Sequence, residues 1–374
     1  MKTLSVIAVS IGTLLFSTLS SVAQTPGPAV GPTGGQTRIQ GVPVDDTGLP
    51  ITPGTQGALI NYREEMRLFV QSISAYARGL RPNFVVVANG GLDLLVKRDP
   101  VEETKVAPAR AYMRALDGVL QEGMFFDVKR GDRAFGTPPV EGRRKSLFDM
   151  AAFAQRNGLK VLTLDYGKTK AVVDAAYKQA SAKGYISLVS DTPSTDIHRL
   201  PTYPSRPFDE NATNIASLDK VKNFAVIRNS APFGRQDAFA LKMHDTNYDL
   251  IAVEVFHGRR PLSRRAVETL KYKKVGTRRL VFAYMDIGSA ASYHYYWQPD
   301  WREGSPIWIS APRPDDPDRY SVEFWREEWK QIISGDTNSY TYGLIAQGFD
   351  GVIVDGLESY KFFESDNQGD DQNQ

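Results

Sequence analysis

Eight short apolar runs, rich in β-branched residues, punctuate the chain at 84–88, 118–122, 160–165, 185–189, 224–228, 250–254, 280–286 and 351–355. Strands buried on both faces read as continuous apolar runs of this kind. Helical patterns lie between them, at 61–78, 146–155, 169–182, 236–244, 263–272 and 323–333. The first sets Met66, Phe69, Val70, Ile73 and Ala77 on one stripe. Gly79, Gly158 and Gly184 stand where such helices end. Alternating strands and helices predict an α/β fold with a mainly parallel sheet. Eight strands is the count of a (β/α)8 TIM barrel in a single domain. A doubly wound open sheet is the other arrangement. No G-x-G-x-x-G turn follows any run, so a dinucleotide site has no support.

The chain ends read differently. Met1 and Lys2 precede an apolar, small-residue run and a small-x-small site at Ser21-Val22-Ala23. Residues 1–23 are therefore expected to be a signal peptide cleaved near Ala23, which predicts a secreted or periplasmic protein. Residues 24–56 are expected to form a disordered Gly/Pro-rich tether, 57–364 the barrel, and 365–374 a disordered acidic tail. No later stretch reaches the apolar length of a membrane span, so no integral membrane association is expected. With no cysteine, disulfides and thiolate metal sites are excluded. A net charge of +2, from 45 basic and 43 acidic residues, makes no case for nucleic-acid binding. The four histidines form no H-E-x-x-H pair, and no G-x-S-x-G elbow exists. Neither a metal nor a cofactor is expected.

In a barrel, the carboxyl ends of the strands share one mouth. That rule gathers Asn89, Glu122, Asp165 with Tyr166, Arg228, Glu254, Asp286, and Asp355 with Glu358. Two carboxylates flanking a bound sugar are the minimum kit for cleaving a glycosidic bond. The competing reading is that some of these acids pair with arginines or cap helices. The segment after Asp286 carries Tyr293, Tyr295, Tyr296, Trp297, Trp301 and Trp308. Such rings serve either as sugar platforms or as packing for the loop itself. His257 and His294 are within reach of a ligand or structural.

Four segments, NYDLIAVEVF (247–256), LVFAYMDIGSAASYHYYW (280–297), YSVEFWREEWKQII (320–333) and GFDGVIVDGLESYKFF (348–363), carry a resemblance, with support from 66–78, 82–91, 116–126 and 159–166. The chain resembles the endo-α-1,4-polygalactosaminidase family of glycoside hydrolases, which includes spherulin-like barrels. Members of that family usually begin with the strand like 224–228 and reach the GFDGV strand midway, whereas here GFDGV comes last. The resemblance therefore implies a circularly permuted barrel whose ends meet near Glu364 and Ala58.

The resemblance implies a polysaccharide substrate containing amino sugars. Asp355 matches the family's nucleophile and Glu122 its acid/base. Asp165, Tyr166, Glu254, Asp286, Tyr293, Trp297, Glu358 and Asn89 are the expected substrate-binding residues. The pattern also departs from the family: Ser289 and Ala291 stand where glutamates are usual, His294 where arginine is usual, and Glu254 replaces an aspartate. The expected activity is endo-acting and retaining. A catalytically impaired carbohydrate-binding barrel is the alternative.

Overall fold

The computed structural model describes residues 60–98, 105–128, 133–314 and 316–370. The expected signal peptide and the expected tether lie outside the described residues. An eight-stranded parallel sheet forms the body. Its strands are β1 (Val85–Asn89), β2 (Gly118–Glu122), β3 (Lys160–Tyr166), β4 (Ile186–Ser190), β5 (Phe224–Ile227), β6 (Leu250–Glu254), β7 (Leu280–Asp286) and β8 (Gly351–Asp355). Their order in the sheet is β4-β3-β2-β1-β8-β7-β6-β5. Except at β4 and β5, each strand thus pairs with the next in the chain, and β8 returns to pair with β1. β4 and β5 approach each other without a ladder. The sheet is a nearly closed (β/α)8 barrel.

The helices are α1 (Tyr62–Leu80), α2 (Arg110–Arg114), α3 (Glu141–Arg156), α4 (Lys170–Ala182), α5 (Gln236–His244), α6 (Arg264–Leu270), α7 (Glu327–Ile333), α8 (Tyr340–Gln347) and α9 (Tyr360–Asp370). Asn61, Thr169, Ser263 and Ser339 each cap a helix by accepting from an early backbone N–H. The 191–223 connection from β4 to β5 departs from the pattern. It carries only the short turns Ser194–Asp196 and Leu218–Lys220. It is anchored beneath the barrel by the buried Lys273, whose Nζ donates to Asp249 and to the carbonyls of Asn211 and Thr213. Among the elements that escaped the sequence reading are α2, α8, α9 and an antiparallel sheet of Ser289–Ala291, Ile309–Arg313 and Asp316–Val322, which grows from the β7 end of the mouth. The helical backbone of α9 also runs through residues 365–370, which the sequence analysis placed in the tail.

Period-two alternation divides the core into two shells. Val85, Val87, Leu120, Leu162, Leu164, Val226, Ala252, Phe282 and Ile353 fill the barrel. Val86, Val119, Val161, Ile251, Val281 and Val352 face the helices. Closure needs glycine at position 351. A Cβ there would lie 2.6 Å from the Val85 carbonyl oxygen and 2.8 Å from the Phe282 ring. Gly351→Ala should therefore destabilise the fold by about 1–3 kcal/mol, a cost typical of overpacking. Urea unfolding measures this directly, and a midpoint equal to that of the wild type would contradict the account of closure.

Candidate active site

The alternation that fills the barrel also selects its mouth. Counting by twos from the interior residues leads to Asn89, Glu122, Tyr166, Arg228, Glu254, Asp286 and Asp355. All except the buried Tyr166 line one cleft of about 1150 Å³.

Glu122 and Asp355 are joined by a single amide. Asn89 Nδ2 donates to Glu122 Oε1 at 3.2 Å and to Asp355 Oδ1 at 3.0 Å. Asn89 sits on β1, between β2 and β8, so strand pairing alone places it between the two acids. Its own Oδ1 is buried with no hydrogen-bond partner among the described residues. The second Glu122 oxygen accepts from the Tyr166 hydroxyl at 2.7 Å. The second Asp355 oxygen accepts from Arg228 at 3.1 Å, and the Gly356 N–H adds a bond to Oδ1 at 2.9 Å. Burial opposes the charge on Asp355. The Arg228 guanidinium, the Gly356 N–H and the Asn89 amide outweigh it and hold the carboxyl below its usual range. Arg228 is itself steadied by the Tyr284 ring, 4.1 Å from ring centroid to guanidinium carbon.

The β6 and β7 side is an alternating charge chain. Glu254 lies near both Arg228 and Arg319. Burial raises its carboxyl pKa, and the two guanidiniums oppose that rise. Asp286 accepts from Gly288 N at 2.9 Å, from Ser289 Oγ at 2.7 Å and from Arg319 at 3.3 Å. Arg319 also donates to the Tyr293 hydroxyl at 2.7 Å. Arg319 was missed by the sequence reading. It arrives from the antiparallel sheet, and no local pattern signals that such a strand folds back over the mouth. Glu358 lines the outer cleft and pairs with Lys361 at 2.5 Å.

Three residues expected to bind substrate, Asp165, Tyr166 and Trp297, do not line the cleft. Asp165 has the opposite parity from Leu164 and Tyr166, so it points out of the barrel and does not line the cleft. Its Oδ1 accepts from the backbone of Phe125 and Phe126 at 2.6 and 2.9 Å, which fixes the loop after Glu122. Trp297 packs on Tyr320 and Trp301 rather than lining the cleft. Of the aromatic run, Tyr293 alone lines the cleft, while Trp308 is buried against Trp301 and Trp329. His294 is buried against Phe256 at 4.4 Å, and neither ring nitrogen has a partner among the described residues. Burial, with Arg319 nearby, pushes its pKa down to about 3, so the ring is neutral.

Burial pushes the Asp165 carboxyl up to about 7, against its amide bonds and Thr163, which favour the ionised form. An acid whose folded pKa is raised binds more protons folded than unfolded. Stability therefore falls as pH climbs from about 4, the unfolded value, towards 7. Asp165→Asn keeps the acceptor for both amides and removes the buried charge. The variant should match the wild type near pH 4 and exceed it at pH 8, by on the order of 4 kcal/mol. Urea unfolding across that range tests this, and parallel stability curves would contradict it.

No family model matches the chain. It is similar to an uncharacterized protein of Methanocaldococcus jannaschii, with 29% identity over 163 residues, 43% of this chain and 44% of that one. It is also similar to uncharacterized proteins of Deinococcus radiodurans (37% over 83 residues, 22% and 26% of the two chains) and Thermotoga maritima (36% over 81 residues, 22% and 24%). The matched stretches span less than half the length of each relative.

Proposed function

We propose that the protein is a secreted or periplasmic glycoside hydrolase that cuts within an amino-sugar-containing, α-1,4-galactosaminan-like polysaccharide by a retaining mechanism. The observation that carries this reading is the Glu122–Asn89–Asp355 bridge. Two carboxylates that share one amide donor have their near oxygens close together. That is compatible with the spacing of about 5–5.5 Å used in double displacement. Their environments also differ, as acid and nucleophile roles require.

In this mechanism Asp355, kept ionised by Arg228, attacks the anomeric carbon and forms a glycosyl ester. Glu122, in its acid form, donates its proton to the departing glycosidic oxygen. The carboxylate left behind then takes a proton from water, whose oxygen attacks the anomeric carbon, so the bond from that carbon to Asp355 breaks and the carboxylate is freed. Tyr166 can donate to or accept from Glu122, so it can hold that carboxyl in either state. Asn89, Glu254, Asp286, Tyr293 and Glu358 are placed to contact substrate along the cleft. The aminated sugar and the linkage come from the family resemblance.

A carbohydrate-binding barrel without turnover is the second reading. Both Asp355 oxygens are engaged, and Ser289 and Ala291 are buried where the resembling family carries glutamates. Glu122→Gln separates the two. Reducing ends released from an α-1,4-galactosaminan should fall at least 100-fold, the usual worth of a general acid, while binding to the polymer is kept. Wild type and variant releasing equal reducing ends would refute the catalytic assignment. Absence of turnover in both, with binding intact, would favour the second reading.

Circular permutation belongs to the same proposal. It is supported by the 191–223 connection, which carries no α-helix and lies at the unladdered seam, and by the pairing of Arg63 on α1 with Glu364 on α9 at 2.8 and 3.0 Å. A chain re-ordered to start within 191–223, with residue 364 linked to residue 58, is expected to fold with the same circular dichroism spectrum. A re-ordered chain that does not fold would remove this part of the proposal.

A further inference from the structure

Positive charge is concentrated on one outer face. Between Arg235 and Arg279 there are eleven Lys and Arg against five Asp and Glu, of which seven and three are exposed, although the whole chain carries only +2. The rest of the molecule is therefore net acidic. Within this segment Arg259, Arg260, Arg264 and Arg265 are all exposed. None has an ion pair or a side-chain hydrogen bond among the described residues. By contrast Arg235, Lys271 and Lys274 pair with Asp237, Glu268 and Asp245. A groove of about 950 Å³ runs beside the free arginines. It is lined by His244 at the end of α5 and by Arg264, Arg265, Glu268, Thr269 and Tyr272. Its one carboxylate, Glu268, is engaged by Lys271. Arg259 and Arg260 belong to the short hairpin of Phe256–His257 and Arg260–Pro261, whose Phe256 and Gly258 line the cleft. The free cations thus form a strip from the cleft rim to the α5–α6 groove.

We infer that this face binds a linear polyanion bearing phosphate or carboxylate groups. The cations are guanidiniums, which meet such groups with paired N–H donors, and no ion pair holds them. A concave groove suits an extended chain. The exposed residues of α5 form no continuous apolar stripe of the kind that rests on a lipid surface. This inference is independent of the hydrolase reading. The anionic strip partner would hold the protein on a charged matrix while the cleft, with its different charge pattern, remains open.

The test is binding of the intact protein to inorganic polyphosphate and to polygalacturonate, with dextran as the uncharged control and phosphatidylglycerol vesicles as the lipid arm. Polyphosphate alone, polygalacturonate alone, or both should bind, more weakly as salt rises. The phosphate and carboxylate sources are told apart by which probe binds. The R259S/R260S/R264S/R265S variant should bind at least about ten-fold more weakly, since each lost arginine removes a charge-assisted contact. Glu122→Gln should leave binding unchanged. If the quadruple variant does not fold, R264K/R265K keeps the charge but loses the fork and should bind several-fold more weakly. Wild-type affinity in these arginine variants would overturn the inference. So would binding to vesicles alone, or an equal loss in Glu122→Gln, which would place the polyanion in the cleft.

Discussion

The parallel pairing of β8 with β1 is the contact on which the rest depends. It joins residues some 266 positions apart, closes the sheet on that side, and sets Asp355 one strand from Asn89 and two from Glu122. Loop closure over such a span costs conformational entropy, and burial of the surrounding strands must offset it. Gly351 lets the strands approach. The Arg63–Glu364 pair and the packing of Tyr62 on Phe363 then lock the helices that flank the junction. The same closure that completes the core also assembles the candidate site.

Within the mouth, charge is balanced by position. Arg228 serves Asp355 and faces Glu254, and Arg319 serves Asp286 and faces Glu254 from the other side. Glu122 forms no ion pair among the described residues and leans on an amide and a phenol instead. In a buried site such differences matter more than in water, because charges there are poorly screened. One carboxylate held ionised beside another whose partners are neutral dipoles is the asymmetry that the proposed chemistry requires.

The antiparallel sheet after β7 changes the meaning of the departures from the family pattern. His294 does not replace an arginine at the mouth; it packs beneath it. A guanidinium is present nonetheless, carried in by Arg319 from a different strand. Ser289, where the resembling family has a glutamate, donates to Asp286. Part of the charge of this wall thus comes from Arg319, outside the segments that carry the resemblance.

The sequence by itself determined the strands, most helices and the fold class. Their signals, apolar run length, period and caps, are local, and β2, β6, β7 and β8 begin and end where the pattern places them. Side-chain parity was legible too: counting by twos from Leu162 and Leu164 selects Tyr166 and sends Asp165 outward. Only the tertiary structure decided which groups touch. The Asn89 bridge, the arrival of Arg319, the burial of His294 and the packing of Trp297 all depend on contacts between distant segments. Such contacts exist only after the barrel closes and its loops fold over the rim, and no local periodicity encodes them.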